Sequence, residues 1–285
     1  MLIKVHHQTH YTYTEKVGLG VHQLFLLPQY RPHFRIKNQE IKVDPQPEGK
    51  NDRQDLAGNW YQQVWFSGET DTFQIQTDWV FELYPFNPFG FIIDMDFEQS
   101  AWDAVNPKFH YQKSKEFSRP FLNRRELIDY RPFLIPIKQR SKGLVDFLVN
   151  LTQEIYQNWP HLIRHEQNIW DPSFTFSEKK GSCRDLASMQ MDMLRSLGLA
   201  CRFASGYAFN PKLDDGHELH AWIEVFLQGA GWVGLDPSLG LLADHHYIPL
   251  AVHPEPYETM PVKGFYLGAA KSQLETFVDL KLFEP

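Results

Sequence analysis

The sequence predicts an α+β protein in which an antiparallel β-sandwich precedes a core of helices packed on an antiparallel sheet. Three observations carry this expectation. Apolar residues alternate through the early part of the chain, most regularly in TFQIQTDWVFEL, where Phe73, Ile75, Trp79, Phe81 and Leu83 share one parity. The period then lengthens to three or four in Leu144, Leu148, Leu151, Ile155 and Trp159, and again in Leu186, Met189, Met193, Leu194 and Leu197. Strand-like runs follow in CRFASGYAF, LHAWIEVFL and WVGLDPS, with FVDLKLF late in the chain.

The elements divide the chain into three. Residues 1–100 read as the β-sandwich: Ile3, Val5, Tyr11 and Tyr13 fall on alternate positions, and DPQPEGKNDRQ and LAGNW supply turns between strands. Residues 101–141 form a connecting region, because prolines at 107, 120, 132 and 136 interrupt any long element. Residues 142–285 carry the helices and the second sheet, with Gly198 as the stop of the helix that runs through Leu197. No internal repeat or low-complexity tract is present.

Composition narrows the function classes. The net charge of -7 argues against a nucleic-acid partner, which would need a clustered basic face. No run reaches the roughly 18 apolar residues of a membrane span. The opening MLIKVHHQTHYTYT lacks the apolar core of a secretion signal, so a cytoplasmic setting is expected. Two cysteines are too few for a disulfide framework, which leaves each free to be a thiol.

One of them stands where a helix begins. In EKKGSCRDLASMQMDMLRSLGL, Ser182 is a preferred N-cap and Asp185 occupies the acidic position of a capping box, so Cys183 is the first helical residue. A thiol there meets unpaired N–H groups and the positive end of the helix dipole, which favour the thiolate; Arg184 adds positive charge. The same N–H groups suit a developing oxyanion. A buried apolar role would account for a hydrophobe at this position but not for the Gly-Ser approach and the acid at the third helical position. Cys201, opening an apolar strand, is assigned to the core.

A cysteine nucleophile needs a base and a group that orients it. Of thirteen histidines, His6, His7, His10, His22 and His33 are expected at surface or edge positions, and His161 and His165 at a solvated helix end. His217, His220, His245, His246 and His253 remain. His220 opens HAWIEVF, and Asp236 lies in the next strand. With a two-residue turn Gly229-Ala230, Asp236 falls opposite Ile223 and faces away from His220. With the three-residue loop Gln228-Gly229-Ala230 it falls opposite Trp222, on the face of His220 and a diagonal step of roughly 7–8 Å away. The pairing of His220 with Asp236 therefore requires the odd loop or an equivalent bulge. HELH does not have the four-residue spacing of a zincin helix, and His245 and His246, as adjacent strand residues, would point to opposite faces, so neither a metal nor another cofactor is expected. Trp170, Trp222 and Trp232 are candidates for lining an apolar acyl-binding channel, and each is also accounted for as a core aromatic.

GSCRDLA, LGLACRFASGY and LHAWIEVFLQGAGWVGLDPSLGLLADHHYIPLA resemble the bacterial transglutaminase-like cysteine proteins of the papain-like fold, almost without interruption from Gly181 to about Ala251. HHQTHYTYTEKV and DLAGN resemble the β-rich N-terminal region that precedes this core in that family. The resemblance implies that 142–285 is a transglutaminase-like catalytic region with Cys183 as nucleophile, His220 as base and Asp236 as orienting acid. It implies acyl transfer at a peptide or side-chain amide of a peptide or protein substrate through a thioester, to water in a protease or amidase or to an amine in a transglutaminase. Gln228 stands where the family often has a proline, which touches the turn and not the triad. The competing expectation is a non-enzymatic binding or assembly protein on the same scaffold, whose signature would be a lost triad member. The sequence leaves the oligomeric state open.

Overall fold

The computed structural model describes residues 1–102, 109–111, 115–124, 128–164, 166–211 and 218–283. The chain begins with a long strand β1 (Leu2–Leu19), followed by β2 (His22–Leu24), β3 (Phe34–Asp44), β4 (Gly49–Gln54), β5 (Trp60–Trp65) and β6 (Thr70–Leu83). The expected parity holds, with Phe73, Ile75, Trp79, Phe81 and Leu83 all buried. β1 and β6 pair antiparallel from Leu2 opposite Glu82 to Thr12 opposite Thr72, and β3 covers the other edge of β6. β2, β5 and β4 belong to a separate antiparallel sheet. His7 and His22, expected near the surface, are buried. His7 Nδ1 bonds with the hydroxyl of Tyr207 at 3.0 Å, and His22 Nδ1 donates to the Gly20 carbonyl at 2.9 Å while its ring packs on Phe73.

The helical part comprises α1 (Met95–Trp102), α2 (Lys115–Ser118), α3 (Arg131–Arg140), α4 (Leu144–Asn158), α5 (Pro172–Glu178) and α6 (Cys183–Ser196), with a 3-10 turn at Arg119–Leu122. The stretch read as a connector does more than connect. Phe109, Tyr111, Tyr130, Leu134 and Ile137 sink into the same apolar cluster as α4 and α6, and α3 continues through Pro136. In α4 the stripe Leu144, Leu148, Leu151, Ile155 and the following Trp159 is buried as its spacing predicts.

α6 differs from the amphipathic helix its stripe suggests, since every residue from Asp185 to Arg195 is buried. Gln190, Asp192 and Arg195 are tolerated inside because each has a partner, whereas the Ser188 hydroxyl and Gln190 Oε1 have none among the described residues. Gln190 donates to Thr152 Oγ1 at 2.7 Å, Arg124 reaches Asp192, and the Arg195 guanidinium donates to the carbonyls of Phe121, Asn123, Cys201 and Pro254. Gly198 ends the helix at φ 80°, where a Cβ would stand 2.6 Å from the Phe109 carbonyl oxygen.

β7 (Cys201–Ala208), β8 (His220–Leu227), β9 (Gly231–Asp236), β10 (Leu241–Leu242) and β11 (Tyr247–His253) form an antiparallel sheet in the order β10-β9-β8-β7-β11. One face packs on the helices through Ala221, Ile223 and Val225. On the other side, Tyr207, Ile248 and Leu250 join the apolar cluster of Val5, Trp79 and Phe81. Cys201 is fully buried at the start of β7, in the core as expected.

After a 3-10 turn at Pro256–Thr259 the chain leaves this sheet as β12 (Val262–Lys263), β13 (Tyr266–Leu267) and β14 (Ser272–Leu282). These residues, counted by sequence with 142–285, pair with the beginning of the chain. β12 adds to β2, β13 to the end of β1, and β14 runs along β1 from Ile3 opposite Leu282 to Tyr13 opposite Ser272. The exposed edge of β1 is thereby covered by the chain's own last strand, which removes a row of unpaired backbone groups.

Candidate active site

The site is assembled from two frames, the start of α6 and the β8–β9 hairpin. At the first, Ser182 caps the helix and the capping box is complete. Asp185 is wholly buried and acts as a hub. Its Oδ2 accepts from the Ser182 backbone N–H at 2.9 Å, the Ser182 hydroxyl at 2.6 Å and Arg164 at 2.7 Å, while Oδ1 accepts from Trp170 N–H at 2.8 Å. Arg164 in turn lies over the Trp170 ring at 4.1 Å. A bond set of this density on one carboxylate fixes the turn that presents Cys183, whose side chain is partly exposed. Gly181 is required by closeness, since a Cβ there would lie 2.9 Å from that of Asp185.

The second frame depends on register. β8 and β9 pair with Leu227 opposite Gly231 and Ile223 opposite Leu235, leaving Gln228, Gly229 and Ala230 as a three-residue loop. Gly229 and Gly231 take φ of 94° and 82°, which the loop demands and other residues rarely adopt. The next step places Asp236 at Trp222, on the His220 face. The odd loop is therefore present, and His220 Nε2 donates to Asp236 Oδ2 at 2.7 Å. That bond leaves His220 Nδ1 as the free ring nitrogen, and the Cys183 thiol is among the groups that raise the imidazole.

Asp236 is fully buried and held on both oxygens. Oδ1 accepts from Ser238 N–H at 2.9 Å, the Ser238 hydroxyl at 2.6 Å and Leu239 N–H at 3.2 Å; Oδ2 also accepts from the Tyr247 hydroxyl at 2.7 Å. Burial would raise its carboxyl, but the adjacent His220 and these donors hold it below the usual range. For His220 burial disfavours charge, yet the Asp236 carboxylate, its hydrogen bond and the sulfur raise the imidazole well above its ordinary value. For Cys183 burial again opposes ionisation, and hydrogen bonds from His161 and His220 outweigh it, bringing the thiol down to about 6. Cys201, with no imidazole beside it, is pushed up to about 12 by burial. The arrangement can thus hold a thiolate beside an imidazolium near neutral pH, the ingredients of nucleophilic catalysis.

Of the histidines set aside by sequence, His161 belongs here. α4 ends before Pro160, and the chain turns so that His161 lies beside Gly181 in a parallel bridge, where the Cys183 thiol raises its imidazole above the ordinary value. Only the break at Trp159-Pro160 hinted that this residue leaves the helix. Tyr247 and Ser238 were also missed, since neither stands in a recognisable pattern with Asp236. His245 and His246 occupy a turn rather than a strand, so their rings lie together at 4.1 Å instead of on opposite faces, grouped with Asp244. Trp222 is buried with Tyr247, Trp232 lies under Arg202, and Trp170 lies under Arg164. His165 and His217 lie outside the described residues. Among the described residues no helix is long and apolar enough to cross a membrane.

A thiol at a helix start, facing an imidazole from an antiparallel sheet, defines the papain-like class of α+β folds. Residues 3–82 match the bacterial transglutaminase-like N-terminal region, and residues 136–237 match the transglutaminase-like superfamily core. The chain belongs to the transglutaminase-like superfamily, in the arrangement that places this N-terminal region before the core. An uncharacterised protein of Mycobacterium tuberculosis is 26% identical over 99% of this chain and 93% of its own length. One of Mycobacterium leprae is 32% identical over 35% of this chain and 37% of its own. A crystal structure from Cytophaga hutchinsonii, of a protein provisionally assigned as a cysteine protease, superposes with a TM-score of 0.71 at 16% identity, covering 100% of this chain and 93% of that one; it shares the fold. Membership in this superfamily supports a cysteine-dependent enzyme.

Proposed function

We propose that this protein cleaves or transfers at a peptide or protein amide through a thioester on Cys183, with His220 as acid and base and Asp236 as the group that orients it. The observation that carries the reading is the hydrogen bond from His220 Nε2 to the buried Asp236, on an imidazole that, with His161, lowers the Cys183 thiol to about 6. The thiolate attacks the amide carbon, and the carbonyl electrons move to oxygen. The tetrahedral species collapses as His220 gives its proton to the leaving amine, which departs and leaves the thioester. His220, now neutral, accepts a proton from water or an incoming amine as it attacks; the thiolate is released with an acid or a new amide. Asp236 keeps the Nε2–H tautomer in place and steadies the imidazolium, without taking the proton.

The catalytic unit we assign to the helices and the five-stranded sheet, and the two N-terminal sheets we read as a sandwich around the cluster of Val5, Trp79 and Leu24. The test is a peptide-hydrolysis assay run beside incorporation of a labelled amine into a glutamine-containing protein, on the wild type and Cys183→Ala. The reading expects one of the two products from the wild type and neither from the variant. Turnover that survives the substitution refutes the mechanism.

A further inference from the structure

Two imidazoles, His161 and His220, act to lower the Cys183 thiol, and the reaction written above uses one. The second, His161, comes from the opposite frame. Its backbone is tied to the residue two before the nucleophile: Leu162 N–H donates to the Gly181 carbonyl at 2.8 Å, and Gly181 N–H to that of Pro160 at 3.3 Å. The placement is therefore part of the construction that presents the thiol. The two rings differ in their surroundings. His220 is held by Asp236, whereas among the described residues no carboxylate hydrogen-bonds to the His161 ring, and Glu218 acts on it through charge alone. His161 is also exposed.

A ring on the sulfur but outside the Asp236 line is poorly suited to shuttle protons and well suited to donate one hydrogen bond throughout. The start of α6 supplies a further donor, because Ser182 caps the N–H of Asp185 and leaves that of Cys183 without a helix partner. We propose that His161 is a second catalytic imidazole: it donates to the Cys183 thiolate before attack, and the same N–H then passes to the oxyanion that forms on the acyl carbon. No bond is made or broken at His161, and its proton stays in place while His220 exchanges protons with the leaving and entering groups. The hydrogen bond to sulfur raises His161 above its ordinary value, which keeps the donor proton in place.

The inference rests on Cys183 being the acylated nucleophile, and its test separates the two. Thiolate formation is followed by iodoacetamide alkylation against pH, and acylation by nitrophenolate release from p-nitrophenyl acetate, whose leaving group needs no proton from His220. For His161→Ala, the alkylation titration should move up from about 6. Acylation should fall about 100-fold even where the thiolate is fully formed, the loss expected for one oxyanion donor. His161→Gln, which keeps an N–H without a charge, should leave the titration displaced and recover most of the acylation. Near-ultraviolet circular dichroism checks that both variants are folded. An unchanged titration and rate in both variants overturns the inference. So does a displaced titration with wild-type acylation above it, which would confine His161 to the resting thiolate. Wild-type protein that never acylates, or Cys183→Ala that does, defeats the underlying reading instead.

Discussion

Asp236→Asn removes a charge while nearly preserving shape, and the hydrogen-bond pattern dictates how the amide must sit. Oδ1 is surrounded by three donors, Ser238 N–H, the Ser238 hydroxyl and Leu239 N–H, so the amide oxygen has to take that side. The amide nitrogen then faces His220 Nε2 and the Tyr247 hydroxyl. The hydroxyl can rotate and accept, but Nε2 can accept only by giving up its hydrogen. The tautomer reverses, Nδ1 carries the proton as a neutral ring, and the charge that balanced the thiolate is lost. At pH 7 a thiol titrating at about 6 is roughly 90% thiolate, whereas one at the ordinary value near 8.5 is roughly 3%. The variant should therefore lose up to about 30-fold in alkylation rate at pH 7, less if His161 alone retains part of the shift. Turnover should fall further, by about 10³- to 10⁴-fold, because the wrong tautomer cannot pass a proton to the leaving group. Alkylation of Cys183 measured by mass spectrometry across pH reads the first quantity directly. A titration that coincides with that of the wild type would show that Asp236 does not govern the sulfur.

Three further outcomes follow from the same geometry. In the native protein Cys183 should react with iodoacetamide and Cys201 should not, since the latter is fully buried and raised to about 12; both should react in guanidinium. Asp185→Ala should destabilise by about 3 kcal/mol, because it removes the buried partner of Arg164, leaving the exposed Glu166 at 3.6 Å, and breaks half of the α6 capping box, with urea denaturation as the measure and slowed alkylation as the functional companion. Gly206→Ala should lower the melting temperature by several degrees, the effect of about 1–3 kcal/mol of overpacking in a chain of this length, because its Cβ would meet the Ile248 carbonyl oxygen at 2.1 Å and pry β11 from β7.

Much of the site was legible because its parts are encoded locally. The capping box is read from four consecutive residues, and loop length alone decides which face of β9 carries Asp236, so Cys183, His220 and Asp236 come together from short-range rules. What escaped depends on long-range placement. Tyr247 reaches Asp236 from β11, at the far side of β7 from β8, and no spacing along the chain foretells that. His161 is positioned by a bridge to Gly181, a contact across α5. The fold shows the same division. Alternation in FVDLKLF marks a strand, but nothing in those residues says that its partner is β1 at the other end of the chain. The apolar stripe of α6 likewise predicts one covered face, while its complete enclosure rests on polar partners contributed by α4 and by the stretch read as a connector.

The two frames also explain why activation does not have to await a substrate. Asp185 fixes the sulfur with four hydrogen bonds made within its own part of the molecule, and Asp236 fixes the imidazole with five. What sets the distance between them is the packing of α6 on β8, where Leu186 and Met189 share an apolar cluster with Ala221, Ile223 and Val225. An interior packed at crystal-like density transmits small changes instead of absorbing them. A substitution in that layer which leaves both frames intact, such as Ile223→Val, acts on the sulfur–imidazole separation alone. It should cost about 0.5–1.5 kcal/mol in stability. If the thiolate is preorganised by the two frames, the alkylation titration should shift in that variant while the hydrogen bonds of Asp185 and Asp236 remain. An unshifted titration would mean that the helix–sheet packing does not control the contact between thiol and imidazole.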